Sequence, residues 1–157
     1  MIQAHLRKFA ATVAVGLAVI VGGSAFAAQS NSELGTWKMD PAKSQTNNKG
    51  VTNTIEAAGE GVKVIVEVLR TDGSVTKYSY VANFDGKYNK IDGQSASGDE
   101  VAAIRVDAHT VRYDFKRAGK PSSSQTIVVS ADGKTRTQTL QNSDSTRPPN
   151  VQVYDKQ

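Results

Sequence analysis

A hydrolytic or group-transfer site needs a nucleophile with a base beside it, so histidine and cysteine are the first residues to weigh. The chain has two His and no Cys in 157 residues. His5 falls in an N-terminal apolar segment, which leaves His109, in the polar stretch Asp107-Ala108-His109-Thr110. A lone histidine in a turn reads as an exposed turn residue. Ser122-Ser123-Ser124 offers hydroxyls, but it follows Pro121 and reads as a loop. Without Cys there is no disulfide framework, zinc finger, thiol nucleophile or lipid-modified N-terminal cysteine. The stretch from Asp92 to Glu100 (DGQSASGDE) is oxygen-rich, as calcium prefers, yet its spacing fits no calcium loop. Its acids read as solvated turn residues. Nothing singles out a carboxylate pair for glycoside chemistry. The expectation is therefore no enzyme, no cofactor and no metal.

Binding leaves more traces than catalysis. Lys116, Arg117 and Lys120 lie near Tyr113 and Phe115, the residue types that hold single-stranded nucleic acid when they share a face. Strand alternation puts Tyr113 and Phe115 opposite Arg112 and Lys116, so a core face and a solvated basic face are expected, with no nucleic-acid partner. The net charge of +4 is also modest. What remains is a set of strand residues that could line an interior: Trp37, Tyr78, Tyr80, Arg105, Tyr113, Phe115, Arg136 and Tyr154. A closed barrel of eight or more strands can hold one small ligand, and it can equally be filled by its own side chains.

The elements that must position these residues begin after a leader. Arg7 and Lys8 precede an apolar run, Phe9 to Val21, and Ala25-Phe26-Ala27 is an A-x-A cleavage site. Residues 1–27 read as a secretory signal peptide. The run is too short to span a bilayer, which takes roughly 20 apolar residues. Removing 1–27 leaves 28–157, with 130 residues, a net charge of +2 and His109 as the only histidine. That length suits one independent core. A periplasmic or secreted location is expected, with no amphipathic helix for membrane contact and a monomeric state.

The segment 28–157 shows alternation of period two. Val62, Val64, Val66 and Val68 share a strand face opposite Lys63 and Glu67, with Ile65 and Leu69 also on that second face. Thr76, Tyr78, Tyr80 and Ala82 oppose Val75, Lys77, Ser79 and Val81. Val111, Tyr113 and Phe115 alternate with charged residues. Ile127 and Val129 alternate with Thr126, Val128 and Ser130, and Thr135, Thr137 and Thr139 with Arg136, Gln138 and Leu140. Asp72-Gly73, Asp85-Gly86, Asp92-Gly93 and Asp132-Gly133 supply the positive φ of tight hairpin turns. Asp40 to Gly50 and Asn142 to Asn150 are irregular, the latter holding Pro148-Pro149. The pattern predicts an all-β antiparallel up-and-down meander of about eight to ten strands. Closing it into a barrel removes both edges. A two-layer sandwich is the rival.

Gly35-Thr36-Trp37 on the first strand resembles the opening motif of the lipocalin and fatty-acid-binding-protein superfamily. The resemblance implies that Trp37 closes the base of a lipocalin-like barrel beside a basic residue from a late strand. Arg136 is the candidate, with Arg112 and Arg105 as alternatives. The stretch Val151 to Lys156 resembles the last strand of intracellular fatty-acid-binding proteins, whose carboxylate-gripping Arg would fall at Gln152. That clamp does not carry over. Their helical lid would fall in 40–50, which is too short for two helices. A wider resemblance runs from Gly35–Ser44 through Glu56–Val64, Phe84–Lys87, Arg105–Val111 and Asp132–Thr135 to Val153–Gln157. It is to a family of small secreted bacterial proteins of lipocalin-like type, and it implies a fold and a compartment without an activity.

Two functions stand at this point. One is an exported barrel that binds a small apolar or amphipathic molecule. The other is a structural or protein-interaction module of the cell envelope with a filled core. Either requires export, so N-terminal sequencing of the secreted product is expected to begin at Ala28. A product that begins at Met1 would remove the leader reading.

Overall fold

The structure, a computed structural model, describes residues 32–144, 146 and 148–157. The leader 1–27 lies outside the described residues. Eleven strands form one antiparallel sheet: β1 Gly35–Met39, β2 Gly50–Ala58, β3 Gly61–Leu69, β4 Val75–Ala82, β5 Asn89–Lys90, β6 Asp92–Gly93, β7 Glu100–Arg105, β8 Thr110–Arg117, β9 Lys120–Val129, β10 Thr135–Asn142 and β11 Asn150–Lys156. The nine longer strands match the expected meander, and the two additional ones are two-residue pairings. The sheet runs β5-β7-β8-β9-β10-β11-β1-β2-β3-β4-β6. The first and last strands therefore meet, with Trp37 opposite Lys156 and Met39 opposite Tyr154. This pairing curls the meander into a nearly closed barrel and excludes the sandwich.

Hydrophobic alternation sets which face turns inward. Val62, Val64 and Val66 are buried, while Leu69 is exposed, so β3 is covered on one side only. Tyr80 and Ala82 on β4, Val111, Tyr113 and Phe115 on β8, and Ile127 and Val129 on β9 follow the expected parity. On the opposite face, Val75, Val81 and Val128 meet solvent. On β10 the threonines face out and Arg136 and Gln138 face in. Tyr80 meets Tyr113 and Phe115 edge-on, with ring centroids 5.9 and 6.3 Å away. Such pairs each add about 0.5–1.5 kcal/mol beyond the area they bury.

Two of the four Asp-Gly pairs turn hairpins. At Asp72 the carboxylate accepts from the Ser74 N–H, and at Asp132 from the Lys134 N–H. The other two lie in the stretch 83–99 and do different work. Asp85 bridges to Ile104, and the Gly86 N–H donates to Ala103 O at 3.0 Å, so this part lies along β7. Asp92-Gly93 is no hairpin turn but is β6, paired with Ser79 and Tyr78 of β4. A side chain at 93 would meet Lys77 O at 2.5 Å, and φ is +94°, so glycine is required there. One segment thus pairs first with β7 and then with β4, bridging the single gap in the sheet, with Ile91 buried at the crossing.

The Ser122-Ser123-Ser124 run is also corrected. It belongs to β9, beyond a bulge at Phe115/Lys116 that seats Pro121 opposite Lys116. A bulge is where a strand admits proline. Between β1 and β2 there is one three-residue 3-10 turn, Pro41–Lys43, capped by the Asp40 carboxylate, and no pair of helices.

Trp37 is fully buried at the base, and its indole N–H donates to Glu33 O at 2.7 Å. Deleting so large a buried side chain costs about 3–5 kcal/mol. Urea denaturation of Trp37→Ala is expected to show a loss of that size. A loss under about 1 kcal/mol would mean that Trp37 does not hold the base.

Candidate functional site

Above the aromatic floor the barrel is hollow. A cavity of about 350 Å³ opens at the end that carries Asn48, the β3–β4 hairpin and the C-terminal end of β10. That lies at the lower end of the roughly 300–1,000 Å³ of small-molecule sites. Two unlike walls enclose it. Val51 and Ile55 of β2 with Val64, Val66 and Val68 of β3 make one wall apolar. On the other, the carboxamides of Gln125 of β9, Gln138 of β10 and Gln152 of β11 alternate with Ile127 and Leu140. Gln138 and Gln152 stand directly opposite each other across the β10–β11 ladder.

At the inner end the two walls meet a polar cluster. Arg136 is 2 % exposed, and its guanidinium lies 4.7 Å from the Tyr154 ring centroid and 5.8 Å from that of Trp37. Arg136 Nη2 donates to Gln138 Oε1 at 3.3 Å. The Tyr154 hydroxyl donates to Gln152 Oε1 at 2.7 Å. Asn53, opposite Trp37 in the β1–β2 ladder, hydrogen-bonds the same phenol. Beneath them Glu33 is 1 % exposed, and its Oε2 accepts from the Tyr113 hydroxyl at 3.2 Å. Three buried polar atoms of this cluster have no partner: Glu33 Oε1, Asn53 Oδ1 and Arg136 Nε.

The outer end is closed in part by 94–97, the continuation of the gap-bridging segment. Ser97 O accepts from Ser122 Oγ at 2.5 Å and Ser123 Oγ at 3.3 Å. Gln125 Nε2 donates to Ser97 Oγ at 3.1 Å, and Arg117 donates to the carbonyls of Ser95 and Ala96. The serines of β9 are therefore the fastenings of this strap.

Of the eight residues expected to line an interior, Tyr78, Tyr80, Tyr113, Arg136 and Tyr154 surround the cavity. Trp37 and Phe115 are buried in the packed core and do not line it. Arg105 lies elsewhere, over the Phe84 ring at 4.3 Å, in a shallow basin at the closed end with Leu34 and Gly61. Arg136, and neither Arg112 nor Arg105, is the late-strand cation over Trp37. Lys156 approaches the same ring at 5.2 Å. In the sequence Asn53 and Gln125 do not stand out, Gln138 figures only as part of the β10 alternation and Gln152 only as the place of a missing clamp, although each stands two places from an inward residue: Ile55, Ile127, Arg136 and Tyr154 respectively. Glu33 has no such signal, since it precedes the first strand.

The remaining candidates lie apart from the cavity. His109 is exposed in the β7–β8 turn, and its backbone N–H donates to Asp107 Oδ1. Asp99 Oδ2 accepts from the Ala118 N–H. Among the described residues no three His, Asp or Glu gather at metal-binding geometry. Also among the described residues, no helix is long and apolar enough to cross a membrane.

Burial sets the protonation of the site. It raises the Tyr78 phenol to about 12 and those of Tyr80 and Tyr113 well above their ordinary value, and it also raises Tyr154. All four remain hydroxyl donors at neutral pH. Burial likewise pushes the Glu33 carboxyl above its ordinary 4.5, against the pull of Arg136 and the Tyr113 hydrogen bond. A raised folded value means that Glu33 contributes stability below about pH 4.5 and loses it as pH climbs through the raised value. The exposed Asp72, Asp107 and Asp132 are held low by hydrogen bonds from Ser74, the His109 N–H and Ser130. Their contribution is lost only below about pH 3.8, a separate window. The urea midpoint is therefore expected to fall as pH rises from 4.5, and Glu33→Gln is expected to flatten that fall. An unchanged slope in Glu33→Gln would exclude Glu33 as its source.

Comparison with protein-family models and with curated proteins finds no match. Among solved structures the chain is similar to a Schistosoma mansoni fatty acid binding protein in complex with arachidonic acid. The identity is 14 % and the TM-score 0.53, over 80 % of this chain and 96 % of that one. It is also similar to a zebrafish ileal bile acid-binding protein complexed with cholic acid, at 11 % identity and TM-score 0.52, over 80 % and 99 %. The shared feature is the fold: this chain is an all-β antiparallel, nearly closed barrel with a lipocalin-like fold.

Proposed function

We propose that this protein is an exported, non-enzymatic carrier of a small apolar or amphipathic molecule. The observation that carries the reading is the cavity itself. It is large enough for a ligand, apolar on one wall and hydrogen-bonding on the other, and its inner end holds buried polar atoms without partners. Such a space, when empty, holds about a dozen waters. A ligand that replaces them gains apolar burial against the valines and bonds to the amides together. The fold supports this reading, since the two solved neighbours carry arachidonic acid and cholic acid. The lining supports it too, because its polar part consists of amides, the hydroxyls of Thr76 and Ser97, phenols held as neutral donors and two guanidiniums, with no His, Asp or Glu to take a proton from a substrate. The leader and its A-x-A site support export to the periplasm or beyond the cell.

Native mass spectrometry of the protein purified from the periplasm of an expressing cell tests the proposal. The expected spectrum shows the chain with a discrete added small-molecule mass that denaturation removes. A bare chain, combined with no change in tyrosine and tryptophan fluorescence on titration with amphiphiles, would falsify it.

A further inference from the structure

The carboxamide wall bears on what kind of amphiphile fits. Gln125, Gln138 and Gln152 come from three neighbouring strands, and Asn53 joins them from β2. Asn53 is 3 % exposed and its Oδ1 has no partner, so a hydrogen-bond acceptor is left over. Arg136 Nε is a donor left over in the same cluster. A buried, unmatched acceptor asks for a ligand that donates. An ionised carboxylate only accepts, whereas a hydroxyl or an amide does both. The guanidinium of Arg136 also shares its buried floor with the Glu33 carboxyl, on which it acts directly. An entering anion would therefore share that guanidinium with a buried carboxyl that already draws on it.

Resting on the carrier reading, we propose that the cavity selects an uncharged amphiphile bearing several hydroxyl or amide groups over an alkyl carboxylate. The ligand class is that of a short-chain glycoside or an acylated polyol. Its polar groups lie along β9–β11 and its apolar part lies against Val51, Val64 and Val66. A site built to bond a hydroxyl rejects the analogue that lacks one far more strongly than an apolar pocket rejects an extra methylene.

Calorimetric titration of the exported protein at neutral pH, with octyl glucoside below its micelle threshold and with decanoic acid, tests this. The glucoside is expected to bind at least tenfold more tightly. Gln138→Leu is expected to weaken the glucoside about tenfold and to leave decanoic acid unchanged or tighter. Gln125→Leu, with thermal melts of both variants, serves if Gln138→Leu does not fold. Decanoic acid binding as tightly as the glucoside, or more so, overturns the head-group inference and leaves the carrier standing. Binding of neither probe overturns both.

Discussion

A guanidinium wedged between two rings fixes which end of this barrel is shut. Arg136 lies against Tyr154 and Trp37, and so ties β10, β11 and β1 at one level. Desolvating a guanidinium is expensive unless its surroundings compensate. Here the compensation comes from two ring faces, the Gln138 amide and the field of Glu33. Everything above that level can be open because everything at it is sealed. A chain with no disulfide has no covalent means of keeping such a base together. The seal is non-covalent and depends on side chains from opposite ends of the sequence.

The fold was legible because its signals are local. Each long strand carries its own alternation, and Asp72-Gly73 and Asp132-Gly133 announce their own turns. The stretch 83–99 was not legible, because Asp92-Gly93 looks like a turn and acts as a strand. Its conformation is set by two partners, β4 and β7, that no local pattern names. The serines of β9 were misread for the same reason: their role lies in the carbonyl of Ser97, far along the chain.

Much of the site was also present in the alternation, but under a rule read too narrowly. The expectation that inward means apolar or aromatic picks out Tyr78, Tyr80, Tyr113 and Tyr154 and passes over the amides. Parity alone places Gln138 beside Arg136 and Gln152 beside Tyr154 on the inner face. In a barrel that encloses a void, a polar residue facing inward is a statement about the contents. Trp37, Phe115 and Arg105 show the converse: residues of the right type fill the core or the closed end when their strand position lies below the void.

The pairing of β1 with β11 also has a bearing on time. Trp37 cannot meet Lys156, nor Met39 meet Tyr154, until almost the whole chain is available. Contacts so distant in sequence make for slow closure. The barrel therefore stays incomplete until β11 joins β1, and the cavity above Arg136 exists only once that pairing has formed.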